Sequence, residues 1–334
     1  MGIDLPLVWA AIVAFGIALY VALDGFDLGI AILFPLVRGR ADRDVMMNSV
    51  APVWDGNETW LVLGGAALFG AFPLAYAVLL PALYLPIMVM LLALVFRGVA
   101  FEFRFKATRS RAVWDWAFAA GSTVATFVQG VALGAFIQGF PVVDRQYAGG
   151  AFDWATPFSL FTGAALVAGY AALGCGWLIM RTEGALQERC YRLMGPFAAA
   201  LLAAIAIVSL WTPLLHPQIA QRWFALPNLL LFAPVPLLVA AAAVLLWRAI
   251  AARRERLPFL LTLALFFLGY TGLAISLWPN VVPPSLSIWD AAAPPQSQSF
   301  LLVGVLLLLP VILGYTAYSY WVFRGKVRPG AGYH

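Results

Sequence analysis

Charged residues are scarce in this chain, and their scarcity excludes an ordinary soluble protein. Only 10% of the 334 residues are Asp, Glu, Lys or Arg, whereas 63% are hydrophobic, and the mean hydropathy is +0.92. A soluble domain carries about 25% charged residues. The composition therefore predicts an integral membrane protein.

Histidine and cysteine are almost absent. His216 falls in a predicted loop and His334 is the last residue, so no histidine is expected inside the membrane. Histidine is a common axial ligand of haem iron, so we expect no haem held by this chain itself. Cys175 and Cys190 form no C-x-x-C pair, and we interpret them as packed thiols. Any redox cofactor is therefore expected on another chain.

The positive charges predict a fixed orientation in the membrane. Seventeen of the twenty Lys and Arg residues form five short clusters, each directly after an odd-numbered apolar segment. Because positively charged segments of multi-pass proteins face the cytoplasm, we expect the amino terminus outside and the carboxyl terminus inside. Topology thus explains the net charge, and no nucleic-acid partner is predicted. The clusters lie at 38–43, 104–111, 181–192, 248–256 and 324–328.

Nine apolar segments are long enough to cross a membrane, which takes about 20 helical residues. Most connections are short, so consecutive helices should be antiparallel neighbours, whereas a proline-rich loop at 279–298 separates the last segment. We expect one all-α membrane domain over residues 1–334, with four-helix bundles at 1–141 and 156–278 and a peripheral helix at 299–323. The segments are 7–36, 53–74, 76–104, 112–140, 156–181, 191–215, 226–250, 257–278 and 299–323.

Two carboxylates lie deep in the first segment. Asp24 and Asp27 stand three residues apart, on adjoining parts of one helix face. Counted back from Arg38, Asp24 lies about 21 Å along the helix from its basic end. Charged groups at such depth are costly and usually functional. Because like charges this close repel, one of the pair is expected to hold a proton, as a proton relay requires.

A second group of acids lies nearer the basic end. Asp55 and Glu58 open the second segment within the run WDGNETW, and Glu102 ends the third, with Arg97 and Arg104 as candidate partners. We expect these acids to form a ladder from the cytoplasm towards the deep pair. An alternative stays open, in which the two acids of the second segment favour a helix N-terminus and the third forms a surface ion pair.

Several motifs combine polar residues in a way that apolar composition does not produce. They are LDGFDLG at 23–29, NSVAPVWDGNETWLVLGGAALFGAFPLAYA at 48–77, LVFRGVAFEFR at 94–104, WDW at 114–116, SIWDA at 287–291 and YTAYSYWVFRGKV at 315–327. On these motifs, which span almost the whole chain, the protein resembles subunit II of the cytochrome bd-type quinol oxidases. The form WDGNETW favours the cyanide-insensitive branch of that family.

The resemblance implies a fold, partners and cofactors. Members have nine transmembrane helices, in two four-helix bundles plus one peripheral helix, and pair with a similarly folded subunit I in the bacterial cytoplasmic membrane. Subunit I is expected to ligate two b-type haems and haem d and to hold the quinol site. The pair oxidises quinol, reduces oxygen to water and takes up protons from the cytoplasm. Ubiquinol and menaquinol both fit, as do a structural quinone or lipid on this chain and a small third subunit.

The resemblance also implies a proton route in this subunit. Asp24, Asp55 and Glu102 match positions assigned to that route, and Glu102 stands where some members have aspartate. Glu58 stands where some members have glutamine. Together with Asp27, these residues form the predicted path, with the second-segment acids and Glu102 as its cytoplasmic mouth.

Three further residues of the WDGNETW run are predicted to support oxygen access or the haem site. Trp60 matches a tryptophan beside the oxygen entrance, and Trp54, like Asp27, matches a position that keeps the haem d site intact. Asn57 lies between the two tryptophans and is grouped with them.

Two other functions fit the same residues. A proton-coupled secondary transporter also uses intramembrane carboxylates, with substrate sites on broken helices. A purely structural subunit that stabilises its partner would carry the acids without using them.

Overall fold

The chain folds almost entirely into helices. The computed structural model describes residues 3–328 and 330, and this part contains thirteen α-helices, a 3-10 turn at Phe34–Leu36 and two antiparallel hairpins. The helices are α1 (Leu5–Leu33), α2 (Arg40–Asn48), α3 (Trp54–Ala71), α4 (Pro73–Ala82), α5 (Tyr84–Phe103), α6 (Arg111–Gln138), α7 (Pro157–Arg181), α8 (Gly184–Leu215), α9 (Pro217–Phe224), α10 (Asn228–Phe232), α11 (Pro234–Ala251), α12 (Leu257–Leu277) and α13 (Pro295–Val322). The strands are β1 (Val142–Val143), β2 (Gln146–Tyr147), β3 (Asn280–Val282) and β4 (Leu286–Ser287).

Eight helical stretches within the described residues are long and apolar enough to cross a membrane. They confirm the prediction of an all-α, multi-pass membrane protein and account for eight of the nine predicted segments. The exception is segment 53–74, which forms α3. Its 18 residues begin with the polar run WDGNETW, so it does not qualify by apolar composition. One stretch, Asn228–Ala251, combines α10 and α11.

Proline sets boundaries that apolar runs alone do not show. Pro73 is the first residue of α4, where its missing N–H costs no hydrogen bond. The predicted segment 76–104 is not one helix, because α4 ends at Ala82 and α5 begins at Tyr84, next to Pro81. Proline inside an apolar run can kink or break a helix, and here the helix is interrupted between Ala82 and Tyr84.

Two short helices outside the spans were not predicted. The first, α2, follows the first span at the end of the molecule that carries the five Lys and Arg clusters, called here the basic end. It buries Val45, Met46 and Met47. The second, α9, follows α8, which itself begins at Gly184 instead of at residue 191. Short or charged helices of this kind carry no long apolar signal.

Helices α1 and α7 occupy the centre of the structure. α1 packs against α3, α6 and α7, whereas α7 packs against α6, α8 and α12. α5 lies on α6, and α11 lies on α12 and α8. α13 contacts α3 and α1, and its most apolar 18-residue stretch contains no buried residue. It therefore lies at the edge of the described helices.

α1 and α7 cross in backbone contact at Gly29. A Cβ atom on Gly29 would lie 1.8 Å from the carbonyl oxygen of Tyr170, and a Cβ atom on Gly174 would lie 2.5 Å from the carbonyl carbon of Gly29. Small residues permit such close approach between membrane helices. The crossing fixes α1, which carries Asp24 and Asp27, against α7.

Replacing Gly29 with alanine is expected to destabilise the fold strongly. The added methyl group would meet backbone atoms, which cannot rotate away as a side chain can, so the cost should exceed the ~1 to 3 kcal/mol typical of overpacking. The measurement is the Tm of the purified protein in detergent. Gly269→Ala is the matched control, because a Cβ atom there meets nothing within 4 Å. Equal Tm values for the two variants would contradict the backbone crossing.

The end opposite the basic clusters is closed by the proline-rich loop. Its β3–β4 hairpin buries Val282 and Ile288 in a cluster with Trp9 of α1. The indole nitrogen of Trp9 donates to the carbonyl oxygen of Gln298 at 3.2 Å, and the Gln298 amide donates to the carbonyl oxygen of Ala71 at 3.2 Å. The loop thus anchors the start of α13 to α1 and α3.

Candidate functional site

A fully buried arginine organises the acids of the first two predicted segments. Arg97 of α5 binds Asp24 through two nitrogens, with Nη2 2.6 Å from Oδ1 and Nη1 3.1 Å from Oδ2. The same Nη1 lies 2.7 Å from Oε1 of Glu58. Both Arg97 and Asp24 are 0% exposed. One guanidinium therefore joins three helices, α1, α3 and α5, deep in the structure.

Close packing of α5 and α6 helps to bury this arginine. A Cβ atom on Gly121 of α6 would lie 2.6 Å from the carbonyl oxygen of Ala93 and 3.2 Å from the backbone nitrogen of Arg97. Glycine at this position lets α6 cover the backbone of α5 beside Arg97. The guanidinium of Arg97 then faces the carboxylates of α1 and α3.

Asp27 is held by an amide and lies beside the same cation. Its Oδ2 accepts a hydrogen bond from Nδ2 of Asn57 at 2.7 Å and lies 3.9 Å from Nη2 of Arg97. Its other oxygen, Oδ1, is buried and has no hydrogen-bond partner in the described structure. Asn57 also donates to the carbonyl oxygen of Leu23 at 3.3 Å and accepts from the hydroxyl of Tyr320 at 2.9 Å.

The charges of this cluster do not balance when every carboxyl group is ionised. Arg97 supplies one positive charge, whereas Asp24, Asp27 and Glu58 supply three carboxylates within 4 Å of it. An uncompensated charge in a low-dielectric interior is costly, so the cluster is suited to binding protons.

The predicted route to the surface is only partly visible in the contacts. Glu58 is 25% exposed, and Asp55, one turn nearer the basic end of α3, is exposed. α3 therefore carries a surface carboxylate, Asp55, and a partly exposed carboxylate, Glu58, which contacts the buried Arg97 of α5.

Glu102 has a different partner from those expected. Its side chain is 61% exposed and pairs with Lys106 at 3.6 Å. Glu102 thus forms the surface ion pair that was left open as the alternative, and the candidate partners Arg97 and Arg104 were wrong. The physical reason is helical geometry, since neighbours on one helix face are three or four residues apart. Lys106 is four residues from Glu102, whereas Arg97 is five away and Arg104 two. The structure does not connect Glu102 to the buried cluster by any contact among the described residues.

The tryptophans of the WDGNETW run flank the cluster. Trp54 stacks on Phe101, with ring centroids 4.6 Å apart and an interplanar angle of 7°. Trp60 is 1% exposed, contacts Phe15 edge to face at 6.0 Å, and keeps its indole nitrogen without a hydrogen-bond partner in the described structure. Trp54 thus packs α3 against α5 and Trp60 packs it against α1, while Asn57 between them contacts the cluster.

A second charged network, which the sequence analysis missed, lies at the basic end. Arg104, also 0% exposed, binds Asp115 at 2.5 Å and Asp44 at 2.7 Å. Asp115 further binds Arg43 at 2.8 Å, and Arg111 pairs with Asp44. The motif WDW, which contains Asp115, was a signal for it, but the pairing depends on the unpredicted helix α2.

Polar contacts also continue on the other side of the cluster. One turn before Asp24 on α1, the hydroxyl of Tyr20 accepts a hydrogen bond from Nε2 of Gln129 at 2.7 Å. Tyr170 donates to Oε1 of the same glutamine at 3.3 Å. These three side chains extend the polar zone away from the basic end.

The side chains do not fit a haem site on this chain. His216 is the one histidine among residues 3–328 and 330, and its Nε2 lies 2.9 Å from the carbonyl oxygen of Ile137, far along the chain from the cluster. His334 lies outside the described residues. The described part also contains no group of three or more His, Cys, Asp or Glu residues suited to a metal ion.

The comparisons with known proteins agree with the motifs. The family described as cytochrome bd terminal oxidase subunit II matches residues 5–323. Cytochrome bd-I ubiquinol oxidase subunit 2 of Escherichia coli K12 is 31% identical, over 97% of this chain and 95% of that protein. Cytochrome bd ubiquinol oxidase subunit 2 of Bacillus subtilis 168 is 30% identical, over 96% of each.

A solved structure shows the same fold. A chain of the bd oxidase from Geobacillus thermodenitrificans superposes with a TM-score of 0.76 at 15% identity, over 97% of this chain and all of that one. Fold, motifs and relatives lead to one conclusion: the chain belongs to the cytochrome bd terminal oxidase subunit II family.

Proposed function

We propose that this chain is the haem-free subunit of a bd-type quinol oxidase and carries protons from the cytoplasm towards the site of oxygen reduction. Its partner is subunit I, which ligates two b-type haems and haem d and binds quinol. The complex couples quinol oxidation to reduction of oxygen to water in the bacterial cytoplasmic membrane. The family assignment favours this function over a secondary transporter.

We also propose how the chain is threaded through the membrane. Nine helices cross the membrane, namely the eight apolar stretches and α3. α3 is included because its polar start faces the charged cluster and not lipid. The amino terminus is outside and the carboxyl terminus is cytoplasmic. Residues 1–141 and 156–278 form the two bundles, which meet at α1 and α7, and the helix that includes 299–323 is peripheral, as its contacts with α1 and α3 support.

The observation that carries the proton role is the position of Glu58. Nη1 of Arg97 lies 2.7 Å from Oε1 of Glu58 and 3.1 Å from Oδ2 of Asp24. Glu58 therefore links the partly exposed face of α3 to a fully buried carboxylate. Asp55 receives protons at the surface, and Asp27 is a second buried acceptor.

The remaining predicted residues have secondary roles. Glu102 concentrates protons at the cytoplasmic surface without belonging to the buried cluster, since its partner is Lys106. Trp54, Asn57 and Trp60 hold α3 against the cluster and support oxygen access or the haem d site of the partner. A structural quinone or lipid and a small third subunit are compatible with the exposed apolar helices.

The test is purification of the tagged chain from its native membranes in mild detergent. We expect a second large membrane subunit to co-purify, with b and d haem bands in the reduced-minus-oxidised spectrum and quinol-dependent oxygen uptake. A colourless chain that purifies alone, and that moves a solute when placed in vesicles, would contradict the oxidase function and favour a transporter.

A further inference from the structure

The last helix reaches the buried cluster through the side chain of Tyr320. Tyr320 lies near the basic end of α13, a helix whose exposed apolar surface otherwise marks it as peripheral. Its ring contacts Phe26 and Trp177 edge to face, with centroid distances of 6.4 and 6.1 Å. Its hydroxyl donates to Oδ1 of Asn57 at 2.9 Å. A residue of the peripheral helix is therefore part of the hydrogen bonding around Asp27.

The surroundings of Asn57 decide which way its amide points, and the hydroxyl of Tyr320 is one part of them. The oxygen of the amide faces the hydroxyl of Tyr320, and its nitrogen faces two acceptors, the carboxylate of Asp27 and the carbonyl oxygen of Leu23. A primary amide has one acceptor end and one donor end. If the amide were reversed, its oxygen would face both acceptors. The two acceptors require the amide nitrogen on their side, and the hydroxyl of Tyr320, which can donate or accept, completes the orientation by donating to the amide oxygen.

The carboxyl-terminal segment holds the end of α13 in this position. The backbone nitrogen of Val327 donates to the carbonyl oxygen of Arg181 at 2.8 Å. Nζ of Lys326 donates to the carbonyl oxygen of Thr182 at 2.9 Å and pairs with Glu255 at 2.9 Å. The hydrogen bond from Lys326 holds the pKa of the Glu255 carboxyl below its usual range. These contacts attach the segment after α13 to the ends of α7 and α11.

We propose that Tyr320 is a positioning residue of the proton route: its hydroxyl orients the amide of Asn57, which in turn holds the carboxylate of Asp27 for proton transfer. The inference rests on the proposed function and adds α13 to the site. It also gives the carboxyl-terminal segment a role, since that segment keeps Tyr320 within reach of Asn57.

The experiment uses the assembled complex with Tyr320→Phe, which removes only the hydroxyl. Tyr318→Phe is the matched control, because Tyr318 is on the same helix and 62% exposed. We expect Tyr320→Phe to lower kcat for quinol-driven oxygen uptake about fivefold, the usual scale for one lost hydrogen bond, with KM for quinol and haem content unchanged. The solvent deuterium isotope effect on kcat should rise, because proton delivery then limits the rate.

A second background separates positioning from general support of the fold. In Asn57→Leu the hydroxyl of Tyr320 has no amide to orient, so adding Tyr320→Phe should cause no further loss of kcat. Losses that multiply, or a Tyr320→Phe complex that matches Tyr318→Phe in kcat and isotope effect, would overturn the inference. If Asn57→Leu does not assemble, the isotope effect of Tyr320→Phe decides alone. A wild-type complex without oxygen uptake would overturn the proposed function itself.

Discussion

Replacing Arg97 with glutamine is expected to prevent the complex from accumulating in the membrane. The change leaves Asp24, Asp27 and Glu58 without the cation that all three approach within 4 Å. Breaking a buried ion pair by removing one partner costs about 3–5 kcal/mol, a large share of the stability of a typical domain. The measurement is the amount of haem-containing complex recovered per cell.

Two further variants define what Arg97 does. Arg109→Gln removes an exposed cation from the basic end and should leave recovery at the wild-type level. Combining Arg97→Gln with Asp24→Asn replaces the charged pair by a neutral one, and this should restore part of the recovered complex but not its oxygen uptake. Wild-type recovery of the Arg97→Gln single variant would show that the cluster does not need its cation.

Replacing Asp24 with asparagine is expected to lower quinol-driven oxygen uptake by about 100-fold, the lower range for loss of a positioned proton-transfer group. Asparagine has nearly the same shape and keeps an oxygen that can accept from Arg97, but it cannot take up a proton. Uptake is measured per haem, so that any loss of the complex itself is corrected for.

The matched control for Asp24→Asn is Asp290→Asn, a change in the loop at the opposite end. There the carboxylate accepts hydrogen bonds from Ser287, including one at 2.5 Å from its hydroxyl, and contacts nothing in the cluster. Full activity is expected for this variant. Normal turnover together with a normal haem spectrum in Asp24→Asn would remove Asp24 from the proton route.

The deep acids could be predicted from the sequence because depth alone makes them unusual. Asp24 and Asp27 lie about three to four helical turns from the nearest Lys and Arg cluster of the sequence, and a carboxylate at that depth requires a partner or a function. Their partner was not predictable in the same way. Arg97 is 73 residues from Asp24 and 39 from Glu58 along the chain, and only the packing of α1, α3 and α5 brings them together.

Glu102 is the opposite case, because its partner follows from local geometry. Lys106 is four residues further along the chain, just after the end of α5, and the structure has that pair. The sequence favours an interfacial anchor at Tyr320, because an aromatic residue near the end of an apolar helix is typical of one, and this interpretation does not predict its contact with Asn57. Its contact with Asn57 depends on the return of α13 to α3 after the long loop.

Most of the fold followed from apolar segment length, and the exceptions have clear causes. Segment 53–74 is polar at one end because it faces the cluster, and 76–104 is interrupted beside Pro81. The crossing at Gly29 was not predictable, since a glycine within an apolar run does not show which backbone it approaches.

The central claim is that protons enter through the acids of this chain, and side-resolved proton uptake tests it most directly. The assembled complex is placed in vesicles in one orientation, with a pH-sensitive dye on the side that faces the basic ends, and turnover is started with quinol. The account predicts proton uptake from that side by the wild-type complex and strongly slowed uptake by Asp24→Asn at equal haem content. Uptake by Asp24→Asn at the wild-type rate, or wild-type uptake from the other side, would contradict it.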